Sequence, residues 1–98
     1  MARVRYEWDR RKNRSNIRKH GIDFSDAWEI FQGPMLTSLD DRDDYGEGRL
    51  LGIGLLRNQV VIVVYTEPEP DLVRIISVGK SLKHERRELE GILGNRLG

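Results

Sequence analysis

Residues 40–49 read DDRDDYGEGR, which places five carboxylates, two guanidiniums and a tyrosine within ten positions. Such a density of charge suits a metal loop, a solvated turn or one wall of an active site. Calcium fails on spacing: with Gly46 as the loop glycine, Asp41 and Asp43 fall at ligand positions, but Tyr45 takes the next one and Gly52 stands where a bidentate glutamate is needed. Magnesium is disfavoured because Arg42 and Arg49 interleave with the carboxylates and compete for their oxygens. Zinc has no cysteine to use, and the two histidines, His20 and His84, are far apart in the chain. We therefore expect neither metal nor cofactor. Asp44 and Gly46 suit a chain reversal.

A turn does not account for Glu47 followed by Arg49, since residues i and i+2 of a strand share a face and set a carboxylate beside a guanidinium. A solubilising ion pair is the plain alternative. A regular last strand would point Arg74, Ile76, Val78 and Lys80 one way and Val73, Ile75 and Ser77 the other. If the face carrying Arg49 joins the one carrying Arg74, then Arg49, Arg74 and Lys80 project together and can cradle a phosphodiester, a condition that depends on strand register. RNA cleavage without a metal needs a base at the 2′-hydroxyl, an acid at the leaving oxygen and cations around the phosphate. Glu47 can serve as the base, and Lys19, His20 or His84 as the proton donor. Tyr45 and Tyr65 could stack on bases. For the histidines and tyrosines structural uses compete: His20 complements a helix C-terminus, His84 sits in a polar helix, and such rings commonly fill cores.

Several elements must position these groups. Val4, Tyr6 and Trp8 alternate with charged residues as in a short strand, and Asp9 can cap a helix over RRKNRSNIRKHG that stops at Gly21. Ile17 is the only clearly apolar residue of that helix, which predicts a solvent- or partner-facing element. Phe24, Ala27, Trp28 and Phe31 recur at helical spacing and predict a core helix that ends at Gly33-Pro34. Four strands follow, LTSL, RLLGIGLL, VVIVVYT and LVRIISV, joined by connections short enough for antiparallel neighbours. Val60–Tyr65 is apolar on both faces and belongs at the centre, with Trp28 and its neighbours covering one face. Ser81 begins a last helix containing Leu82, Leu89, Ile92 and Leu93. The order β-α-α-β-β-β-β-α is an α+β domain, a mainly antiparallel sheet with two N-terminal helices and a C-terminal helix.

The length of 98 residues fits one domain spanning 1–98. The absence of cysteine excludes disulfides and thiol nucleophiles, and no apolar run approaches the length of a membrane span, so we expect a cytoplasmic protein with no membrane partner. Net charge is only +1, yet residues 1–20 carry eight Lys/Arg against two acids, and residues 21–50 carry two against eight. A polyanion on one surface and a basic partner on another would satisfy that split, as would neutralisation within the chain.

The ordered elements W-D-x-x-K, N-x-x-K-H-G-I and F-x-x-A-x-x-x-F in WDRRKNRSNIRKHGIDFSDAWEIF, then D-x-R-x-D-Y-G-E-x-R, VVYTE and RIIS, resemble the BrnT-type toxins of bacterial type II toxin-antitoxin systems from about Trp8 to Arg86. The resemblance implies a RelE-like fold, a ribonuclease that arrests translation, and a co-encoded BrnA-like antitoxin with a ribbon-helix-helix domain. Operator DNA would be bound only through that antitoxin, and both a homodimer and a heterotetramer with antitoxin stay open. The pattern falls on Trp8, Asp9, Lys12, Asn16, Lys19, His20 and Gly21, on Asp40, Arg42, Asp44, Tyr45, Gly46, Glu47 and Arg49, and on Tyr65, Glu67, Arg74, Ser77 and Lys80. From chemistry and resemblance together, Glu47, Arg49 and Lys80 form the expected catalytic set. Lys19, His20, Arg42, Tyr45, Tyr65 and Arg74 are the expected substrate contacts. The chain departs from the pattern at Gly79, where an arginine is usual; the alternative reading is therefore a RelE-like homologue with weakened turnover that binds antitoxin or RNA.

Overall fold

In the computed structural model, which describes residues 3–40 and 48–81, Asp9 ends strand β1 (Arg5–Trp8) and begins helix α1 (Arg10–His20). Its carboxylate accepts from the backbone N–H groups of Arg11 and Lys12 at 2.8 and 3.1 Å, satisfying donors that no helical turn can reach. Those two bonds, Lys12 first, hold the Asp9 carboxyl below its usual range. At the other end Gly21 adopts the left-handed conformation (φ 70°) and returns its N–H to Ile17, while Arg18, Lys19 and His20 complement the helix C-terminus.

Apolar burial does not hold α1 in place: Ile17 is exposed and Asn16 is the helix's one buried residue. Beyond Trp8 the strand β5 (Leu72–Lys80) has lost its β1 neighbour, and Asn16 takes over that edge. Its Nδ2 donates to the carbonyls of Val78 and Ile22 at 2.9 and 3.0 Å, and its Oδ1 accepts from Val78 N–H at 3.0 Å. One side-chain amide thus imitates a strand residue and meets the demand that buried backbone polar groups be paired. Asn13 adds a second tie, accepting from Phe24 N–H at 2.9 Å and donating to the Asp23 carboxylate at 3.0 Å.

The expected core helix is split. Phe24–Asp26 forms a 3-10 turn and Trp28–Gln32 a short helix, α2. The residues buried are Phe24, Ala27 and Ile30, whose three-residue spacing is that of a 3-10 coil, while Trp28 is 49% exposed. The sheet is therefore covered by Phe24, Ala27 and Ile30, and the expectation that Trp28 does this is corrected.

Five strands form one sheet in the order β1-β5-β4-β3-β2, with β2 at Leu36–Leu39, β3 at Leu50–Leu56 and β4 at Gln59–Glu69. Among the described residues only the β1–β5 pairing is parallel, so the mainly antiparallel α+β expectation holds. The β3–β4 hairpin closes on Arg57 and Asn58, both at positive φ, a turn whose twist matches that of the strands. On one face Val61, Val63, Tyr65, Val73, Ile75 and Val78 pack with Phe24, Ala27 and Ile30. Gly54 permits this approach: a Cβ there would stand 2.8 Å from Ile30 Cγ2. The opposite face carries Ile53 and Val60 with Leu36, Leu51, Leu55 and Ile62. The last helix expected after Ser81 lies outside the described residues, and no helix among those described is long and apolar enough to cross a membrane.

Candidate functional site

The register of β5 decides which cations share a face. Val64 pairs with Ser77 but Tyr65 pairs with Ile75, so Ile76 is an extra residue, a bulge that reverses the alternation. Val73, Ile75, Val78 and Lys80 consequently face α2, and Arg74 and Ser77 face away. Arg49 shares that outer face, two residues before Leu51, which pairs with Val64. The expected trio is thereby corrected: Arg49 and Arg74 lie on one face and Lys80, paired with Val61, on the other.

On the outer face, between α1, β5 and the entry to β3, lies a cleft of about 280 Å³. Lys12, Ser15, Asn16 and Lys19 line it from one stripe of α1, and His20 from the end of that helix. Arg49 closes it from β3, and Ile76 and Ser77 form its floor. Among the described residues its lining holds Lys12, Lys19, His20 and Arg49 and no acid, a set of donors that suits an anion with several oxygens. A second hollow of similar volume at the β1 edge is lined in part by Glu67 and Asp71, whose charge opposes such a ligand.

The cleft brings together Lys19, His20 and Arg49 of the expected set. Arg74 stays outside it, bound to the Glu7 carboxylate through Nε at 3.0 Å and through Nη2 at 2.9 Å. Tyr65 is corrected from substrate contact to core residue. Only 3% exposed, it packs edge-on against Phe31 at 5.0 Å, and burial, with the Glu67 charge second, pushes its hydroxyl pKa up. A ring so enclosed offers no face to a base. Glu47, Arg42, Tyr45 and His84 lie outside the described residues. Lys12, Ser15 and Ser77 belong to the cleft and were missed as contacts, although Lys12 and Lys19 stand seven apart, two turns along one helix face. Among the described residues no three His, Asp or Glu side chains gather as a metal site would require.

A family model described as the ribonuclease toxin BrnT of type II toxin-antitoxin systems matches residues 8–85. Among solved structures, the 1.1 Å crystal structure of the Brucella abortus ribonuclease toxin BrnT matches with a TM-score of 0.63, 24% sequence identity, 82% of this chain and 99% of that chain. No curated protein matches. At that identity the crystal structure speaks for the fold, and the family match speaks for the chain's descent.

Proposed function

Because this chain belongs to the BrnT family of ribonuclease toxins of type II toxin-antitoxin systems, with RNA as substrate and an antitoxin as partner, we propose that it cleaves RNA in the cleft between α1, β3 and β5. The observation that carries the reading is the gathering of Lys12, Lys19, His20 and Arg49 around one hollow. A phosphodiester seated there has its two non-bridging oxygens met by cations from both sides. Those cations gain strength as negative charge builds on the pentavalent phosphorus, which is the condition for accelerating the step.

Cleavage runs without a metal. The 2′-oxygen attacks phosphorus and loses its proton to Glu47, the P–O5′ bond breaks, and the leaving 5′-oxygen takes a proton from the cleft, where Lys19 and His20 stand as donors. A cyclic 2′,3′-phosphate and a 5′-hydroxyl result. The products are fragmented RNA and arrested translation, relieved by a ribbon-helix-helix antitoxin through which the pair also binds operator DNA.

Expression from an inducible promoter without the antitoxin is expected to arrest growth and fragment RNA, with co-expressed antitoxin restoring growth. Purified protein should cleave RNA equally well in excess chelator. Normal growth and intact RNA at high protein level would overturn the proposal.

A further inference from the structure

Gly79 lies in a regular stretch of β5, paired with Ile62, and its backbone has no need of glycine, since Gly21 is the one glycine at positive φ among the described residues. A glycine inside a strand weakens it and marks a close approach. Here the approaching group is His20. A Cβ at position 79 would stand 3.2 Å from both Cε1 and Nδ1 of the imidazole and 3.5 Å from Nε2, so the ring rests on the strand where a side chain would begin. The same imidazole lines the basic cleft, opposite Arg49.

We propose that Gly79 is a positioning residue: by leaving the surface of β5 bare, it seats the His20 imidazole in the wall of the cleft, ready to contact an RNA phosphate. This rests on the reading of the cleft as the phosphate site. His20 is exposed at the end of a helix, and a side chain in that setting samples several rotamers, an entropy that any ligand contact must then overcome. Contact with the strand removes part of that freedom before the ligand arrives. Glycine at this position then provides a seat for an imidazole. Among the described residues the other charged groups lining the cleft are Lys12 and Lys19 from α1 and Arg49 from the entry to β3.

Two measurements test this. In wild-type protein a nuclear Overhauser contact between the His20 Cε1 proton and the Gly79 α-protons is expected, and its absence would overturn the proposal. Binding of a 2′-O-methyl RNA oligonucleotide, which cannot be cut, is then measured by fluorescence anisotropy for Gly79→Val in two backgrounds. Valine suits a strand and displaces the ring, and Gly79→Ala serves if the valine variant does not fold. We expect a loss of affinity of about fivefold beside His20 and less than about twofold beside His20→Ala, because the group being displaced is already gone. Equal losses in both backgrounds, or none in either, with wild type binding the oligonucleotide, overturn this proposal alone. Failure of the wild type to bind the oligonucleotide overturns the reading of the cleft and this proposal with it.

Discussion

At Arg74 the guanidinium meets Glu7 through two nitrogens, at 3.0 and 2.9 Å, across the one parallel pairing of the sheet. Both side chains are partly exposed, so the pair is screened and contributes about 1 kcal/mol or less to stability. Arg49, on the same face, helps to enclose the cleft with Lys12, Lys19 and His20. Arg49→Ala is expected to lower the RNA cleavage rate by about a hundredfold or more, the usual effect of losing one donor to a charged transition state. Arg74→Ala should change the rate less than about threefold, since its charge is already engaged outside the cleft. Single-turnover cleavage of a short RNA by both variants checks this pair of outcomes. Similar losses in the two would place the phosphate nearer β1.

At the scale of elements, α1 depends on a side-chain amide where most helices depend on an apolar stripe. Asn16 is 5% exposed and bonds the Val78 N–H, the Val78 carbonyl and the Ile22 carbonyl together, so Asn16→Ala removes the side-chain partner of three backbone groups. At about 1–3 kcal/mol for each such group, the fold should lose about 3 kcal/mol, and thermal unfolding should show a fall in melting temperature of more than about 10 °C. A fall of only a degree or two would mean that water replaces the amide. This anchor was not legible in the sequence, because hydropathy sees a polar helix and cannot tell which amide reaches a vacated strand edge. The strands themselves were legible from their apolar runs, and both ends of α1 from Asp9 and Gly21. The bulge at Ile76 was not: RIISV alternates no differently with or without it, yet it moves Lys80 to the far face and leaves Arg74 on the near one. Likewise Phe24, Ala27 and Trp28 fit helical spacing well, and only the packing of Ile30 against Gly54 shows that a 3-10 turn sets the buried face.

Over the whole molecule, the basic character of residues 1–20 was visible as a charge block, but not how it divides between ligand and solvent. Helix geometry makes that division. Lys12, Ser15, Asn16 and Lys19 form the stripe facing the cleft, while Arg10 and Arg14 project roughly opposite at 100° per residue. Arg49 then reaches the same hollow only because β3 crosses the sheet two strands away from β5. If RNA phosphates sit among Lys12, Lys19 and Arg49, binding releases the counterions they displace. The logarithm of affinity for single-stranded RNA should then fall with the logarithm of salt at a slope of about −2, from about 0.7 for each contact. Lys12→Ala with Lys19→Ala should make that slope shallower by about 1.4, whereas Arg10→Ala with Arg14→Ala, which removes the same charge from the outer side of the same helix, should change it by less than about 0.5. Because both pairs alter net charge equally, a general electrostatic attraction between a basic chain and a polyanion predicts equal changes. Titration of a labelled, uncleavable oligonucleotide between low and physiological salt separates the two cases. Equal changes would show that RNA reads the charge of the helix as a whole and not the cleft it encloses.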